Sequence, residues 1–246
     1  MAPRLRSRSI PCVTADQMQE IDRIATQEYR LHLLQMMENA GRHFAHLARD
    51  VGVDGTLRDH TVLVLCGRGG NGGGGLVAAR RLAAWGASVR VVTAAPPDDY
   101  TGLPAHHLAL LRRMDCPVEY ADPDAALPDA DLLLDALIVY GLDGELDDEM
   151  AALIQRVIWH GAPVLSLDVP SGLDATTGVP SQTTVHAEAT VTLALPKCGL
   201  EAPAAQSAVG DLYLADVGIP PFLYDELDLS GDATGLFAER DLVALH

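Results

Sequence analysis

The sequence predicts an α/β fold with a mainly parallel sheet. Three observations predict it: short apolar segments recur through the middle of the chain, helical stretches separate them, and seven glycines within nine residues, Gly67 to Gly75, join the first of them to a helix. Most of these segments are apolar on both faces, as strands are when helices cover a sheet on both sides. The chain has 246 residues, 48% hydrophobic and 21% charged, and no spacer rich in proline, serine or charge divides it. One domain is expected over residues 14–246, after a flexible segment at residues 1–13.

Thr14 followed by Gln17 has the form of a capping box, and Met18, Ile21, Ile24 and Ala25 then fall on one face of a helix running to about Glu28. A second amphipathic helix is predicted from Leu33 to Val51. Strands are predicted at Thr61 to Cys66, Ser88 to Ala94, Val118 to Ala121, Leu132 to Ile138, Val164 to Leu167, Ala189 to Leu195 and Asp211 to Ala215. Helices at Leu76 to Trp85, Leu103 to Arg113 and Asp147 to Trp159 separate the first five strands, and the last two should extend one edge. The carboxylates between Asp143 and Glu149 mark a loop and the first turn of a helix, whose dipole favours them.

The formal charge of −17 repels nucleic-acid backbones and anionic membranes, which argues against both as partners. No run of about 18 apolar residues occurs, and the arginines near the N-terminus are not followed by the apolar core of a signal peptide. A cytoplasmic protein is expected. Cys12, Cys66, Cys116 and Cys198 are scattered without zinc spacing and are expected as reduced, buried thiols. The nine histidines form no H-x-x-x-H or H-E-x-x-H pattern, so a histidine-bound metal is not expected.

In parallel sheets ligands bind outside the carboxyl ends of the strands. Three segments meet that test: Gly67 to Gly75, Asp135 to Glu145, and Asp168-Val-Pro-Ser-Gly-Leu-Asp174. The glycine segment reads as a backbone cradle for an anion, since glycine accepts positive φ and close approach. It lacks the Lys-Ser or Lys-Thr of a P-loop, and although Gly67, Gly69 and Gly72 satisfy G-x-G-x-x-G, no acid ends the second strand to hold a ribose. Asp135 and Asp168 each end an apolar strand, where an ionised group must be paired, coordinated or exposed in a cleft, or else caps a loop. Asn71 and Ser171 add neutral oxygen donors suited to a hard monovalent ion. A serine nucleophile at Ser171 is disfavoured, because Pro170-Ser171-Gly172 lacks the first glycine of G-x-S-x-G.

The segments TADQMQEIDRIA, LLQMMENAG, VLVLCGRGGNGGGGLVAARRLAAWG, LLLDALIVYGLDGEL, VLSLDVPSGLDATTG, TVTLALPKCGL and GDLYLADVGIP together resemble the YjeF N-terminal domain family, from about Thr14 to about Pro221. The resemblance implies a three-layer αβα, Rossmann-like sandwich and an epimerase that interconverts the R and S forms of hydrated NADH and NADPH. In that hydrate, water has added at C6 of the nicotinamide. It further implies K+ as cofactor, held by Asn71, Asp135 and Ser171. It places Gly70, Asn71, Gly72, Gly73, Gly74, Val139, Tyr140, Gly141, Leu142, Asp143, Gly144, Glu145 and Asp168 against the substrate. A carboxylate near C6 can move protons as the hydroxyl leaves and returns, which makes Asp168 the candidate catalytic residue. A homodimer and a separate dehydratase acting in the same pathway are implied as well.

Two departures stand against the family pattern. The family's glycine segment reads G-x-G-N-N-G-G-D-G, where this chain has Gly70 for the first Asn and Gly74 for the Asp, and its F-G-x-G is replaced by Ile138-Val139-Tyr140-Gly141. They leave open an isomerase or cyclase for another small molecule, or a non-catalytic binding or scaffold module.

Overall fold

The computed structural model describes residues 10–53, 55–122, 125–137, 146–227, 229 and 233–245. The capping box forms as expected: Thr14 Oγ1 accepts from the Gln17 amide at 3.2 Å and Gln17 Oε1 accepts from the Thr14 amide at 2.9 Å. It starts α1 (Ala15–Arg23), which widens into a π-helical turn over Ile24–Glu28. Helix α2 (Leu33–Leu47) ends in a similar turn, Ala48–Gly52.

The sheet contains β1 (Thr61–Cys66), β2 (Ser88–Thr93), β3 (Val118–Tyr120), β4 (Leu132–Ala136), β5 (Val164–Leu167), β6 (Ala189–Leu193), β7 (Asp211–Ala215) and β8 (Leu242–Ala244). Their order is β3-β2-β1-β4-β5-β6-β7-β8, parallel throughout except for β8 against β7. Strand β8 was not expected; its three residues carry too little pattern to separate them from a tail until β7 offers an edge to pair with. Three more helices join the strands along the sheet, α3 (Gly70–Ala84), α4 (Gly102–Arg113) and α5 (Asp148–His160), with a short α6 (Gln206–Val209) before β7.

Period-two alternation divides the strand residues between two cores. Val62, Val64 and Cys66 pack with α2, α3 and α4, while Leu63 and Leu65 face α5. This gives the helix–sheet–helix layering expected of strands apolar on both faces. The chain reverses direction across the sheet between β1 and β4, so the crevice beyond their carboxyl ends is the topological switch point.

The glycine segment is not the loop expected. Helix α3 begins at Gly70, six positions before the predicted Leu76, and none of the glycines from Gly67 to Gly75 has positive φ. Close packing accounts for five of them instead, Gly67 and Gly72 to Gly75: a Cβ at Gly72 would lie 1.7 Å from the Gly67 carbonyl oxygen, and one at Gly75 would lie 2.7 Å from the Ala136 Cβ. Gly41 of α2 meets α3 in the same way, its Cβ position being 2.4 Å from the Gly74 carbonyl oxygen. Low helix propensity is overruled by a seam that only these residues allow.

The thiol expectation is also corrected. Cys12 and Cys198 form a disulfide, with Cα atoms 4.9 Å apart, while Cys66 and Cys116 are free. The backbone brings the pair together: Val13 N donates to the Pro196 carbonyl and Cys198 N to the Val13 carbonyl, both at 2.9 Å. Residues 10–13, expected to be flexible with the segment before them, are thereby held, and Val13 is fully buried. Residues 1–9 lie outside the described residues.

His43 of α2 is 4% exposed, and burial, reinforced by the Arg42 guanidinium, lowers its pKa to about 4. Folding therefore favours neutral His43, whereas in the unfolded chain the imidazole takes up a proton near its ordinary pKa of 6.5. This contribution is complete above pH 6.5 and is lost as the pH falls from 6.5 to about 4. A loss of about 3 kcal/mol over that window is expected. Urea midpoints of the wild type and His43→Gln, measured between pH 7.5 and 4, should converge as the pH falls; parallel curves would contradict the assignment.

Candidate functional site

Four strand ends supply the site. Asp135 lies near the end of β4 and Asp168 directly follows β5, with Ser171 three residues on; Gly70 and Asn71 open α3 beyond β1, and Lys197 follows β6.

Asp168 is 1% exposed and adopts φ +69°, a conformation Asp accepts more readily than most side chains. Its Oδ1 receives three donors: the Thr192 hydroxyl at 3.2 Å, the Leu193 amide at 3.1 Å, and the Lys197 ammonium in a short ion pair. Among the described residues no group donates to Oδ2. Lys197 is itself 0% exposed and also donates to the Leu193 carbonyl at 3.0 Å. Two buried opposite charges with additional hydrogen bonds meet the condition under which such a pair persists in a core.

Asp168 and Lys197 line a cavity of about 100 Å³ together with Gly70 and Asn71; its apolar wall includes Met18 of α1 and Met36 and Met37 of α2. The volume suits one small ring rather than a dinucleotide, whose remainder would lie outside.

Asp135 is 1% exposed and has a different environment. Its Oδ2 accepts from the Ser166 hydroxyl and the Ser171 amide, both at 2.9 Å, and its Oδ1 from the Ser171 hydroxyl at 2.6 Å and the Leu137 amide at 3.3 Å. All four donors are neutral. Burial raises its pKa, and the bonds from Ser171, Ser166 and Leu137 oppose the rise. Asn71, 4% exposed, donates from Nδ2 to the Leu167 carbonyl at 3.0 Å, at the end of the strand that leads to Asp168.

The expected site residues therefore divide. Gly70 and Asn71 reach the cavity beside Asp168, and a Cβ at Gly70 would meet open space. Gly72, Gly73 and Gly74 instead press against the Gly67 carbonyl, Met37 and Leu167. Asp135 and Ser171 form a bonded pair that does not line this cavity. Val139, Tyr140, Gly141, Leu142, Asp143, Gly144 and Glu145 lie outside the described residues.

Sequence reasoning missed Lys197 and the methionine wall. A signal for Lys197 was present: it is the only lysine among seventeen lysine and arginine residues. Met18 reads as part of the apolar face of α1, and Met36 and Met37, with Leu34, as a cluster that either covers the core or forms a dimer face.

Among the described residues no cluster of three His, Cys, Asp or Glu side chains could hold a metal ion, and no helix is long and apolar enough to cross a membrane.

Comparison with known proteins follows the same lines. The family model of the YjeF-related protein N-terminus matches residues 33–199. The NAD(P)H-hydrate epimerase of Dehalogenimonas lykanthroporepellens is 40% identical over 223 residues, covering 90% of this chain and 88% of the relative. The bifunctional NAD(P)H-hydrate repair enzyme Nnr of Salinibacter ruber is 38% identical over 229 residues, covering 87% of this chain but 42% of its own length. A solved yeast protein, YNL200c, superposes with a TM-score of 0.79 at 22% identity, covering 95% of this chain and 99% of the yeast chain, which shows a shared fold.

Proposed function

The chain belongs to the family of the YjeF-related protein N-terminus, and from that premise we propose that it is an isomerase interconverting the R and S forms of hydrated NADH and NADPH. The observation that carries the reading is a buried carboxylate, Asp168, facing a cavity the size of one small ring, with one oxygen fixed by three donors and the other receiving none among the described residues. An anchored carboxylate of this kind can accept and return a proton as the C6 hydroxyl leaves and is restored. The amino end of α3, at Gly70 and Asn71, brings backbone N–H groups to the same cavity and favours the negative charge of a nucleotide.

Asp135 and Ser171 suit the K+ that family likeness assigns to them with Asn71: a carboxylate buried among neutral donors gains from a cation, and the Ser171 hydroxyl beside it adds a neutral oxygen, while Asn71 is held at the end of the neighbouring strand by the Leu167 carbonyl. Bound there, the ion would supply positive charge next to the segment that carries Asp168. We further propose a homodimer, using the exposed apolar face of Tyr29, Leu33, Leu34 and Phe222. A separate dehydratase would act on the S form. We place the protein in the cytoplasm, where the Cys12–Cys198 disulfide would meet a reducing pool.

The test is the rate of R-to-S interconversion, followed by coupling to an S-specific dehydratase, in potassium buffer and in a buffer without it. Potassium-dependent acceleration is expected, by at least tenfold over the spontaneous rate. Folded protein that leaves the spontaneous rate unchanged would favour a different small molecule, the reading that Gly70 and Gly74 support.

A further inference from the structure

Sixteen of the seventeen lysine and arginine residues are arginines, and the single lysine is the fully buried residue paired with Asp168. A guanidinium forms stronger and more directional pairs with carboxylates than an ammonium does, so charge pairing alone gives no reason for lysine at this one position. An ammonium can release its proton within the working range of an enzyme, and a guanidinium cannot.

Resting on the epimerase reading, we propose that Lys197 is a catalytic residue: the general acid for departure of the C6 hydroxyl, with Asp168 Oδ2 as the base for its return. Both residues line the same cavity and touch each other, so a proton lost by one can be restored by the other.

The step balances as follows. Lys197 Nζ gives a proton to the C6 hydroxyl, the C6–O bond breaks with its electron pair going to the departing water, and the N1 lone pair closes an N1=C6 double bond. Water then adds to the opposite face of C6, the electron pair of that double bond returns to N1, and Asp168 Oδ2 takes the water's proton. Transfer of that proton from Asp168 to Lys197 restores the ion pair. The site stays neutral overall at each stage: the ammonium charge moves to the iminium and then disappears as the carboxylate is protonated. Beside a pair as deeply buried as Asp168 and Lys197 this matters, since net charge there is costly.

The experiment compares epimerisation by the wild type, Lys197→Arg and Lys197→Ala, each checked for folding by circular dichroism. Lys197→Arg keeps a cation beside Asp168 and is expected to lose about 100-fold or more in kcat. Lys197→Ala should be inactive and should recover with added methylamine or ethylamine, at a rate that follows the acidity of the amine. A lysine with only a structural role would show no such dependence. Lys197→Arg within threefold of the wild type, or a Lys197→Ala rate unaffected by amines, would overturn the assignment. A wild-type protein with no epimerase activity would overturn the functional reading and this assignment with it, so the two failures are distinguishable.

Discussion

Asp168→Asn is expected to lower the epimerisation rate by about 100-fold to 10,000-fold, the range for loss of a general acid or base, and to destabilise the fold. The backbone does not cause either effect, because Asn accepts the left-handed conformation at φ +69° about as readily as Asp. The amide cannot take a proton, and it leaves the Lys197 ammonium, 0% exposed, without its counter-charge. Removing one partner of a buried pair costs about 3–5 kcal/mol. In a chain of this length that lowers the melting temperature by on the order of 10 °C. Thermal melts and single-turnover rates measured well below both transitions separate the two effects. An Asp168→Asn protein that melts with the wild type and epimerises at its rate would remove the basis for placing chemistry at this residue.

Gly74→Asp, which restores the side chain the family pattern carries, is expected to destabilise by several kcal/mol, whereas Gly70→Asn, the other restoration, should be nearly neutral. The Gly74 Cβ would lie 2.8 Å from Leu167 Cδ2 and 3.8 Å from the Ala40 Cβ, in a seam where Leu167 is fully buried. Overpacking there costs about 1–3 kcal/mol, and an added carboxylate without a partner costs more. At Gly70 no heavy atom lies within 4 Å of the corresponding position. Urea midpoints for the two variants give the comparison directly. Equal midpoints would mean that Leu167 yields to the new side chain, and a faster rate in folded Gly74→Asp would identify the carboxylate as a missing part of the site.

Most of the fold was legible because it rests on local pattern. Segments such as Thr61–Cys66 and Val164–Leu167 are apolar on both faces, and burial on both faces is what a parallel sheet imposes. The α1 cap was legible for the same reason, since Thr14 and Gln17 satisfy each other within one turn. Asp135 and Asp168 stood out because carboxylates at the ends of apolar strands require a compensating partner, and Ser171 and Asn71 because they offer neutral oxygen donors nearby, although the sequence does not name the partner.

Composition and periodicity thus determined β1 to β7, the helices between them and the strand ends at which polar groups would gather, because these follow from side-chain period and the cost of burying charge. Only the tertiary structure decided that the glycines serve α3's packing rather than a loop, since the Gly72–Gly67 and Gly41–Gly74 contacts exist only once the elements meet. It alone joined Cys12 to Cys198 across a separation of 186 residues. It also paired Asp168 with Lys197, 29 positions away. Those partners lie on different strands or termini, and no local preference of the chain encodes which of them the sheet order will bring together.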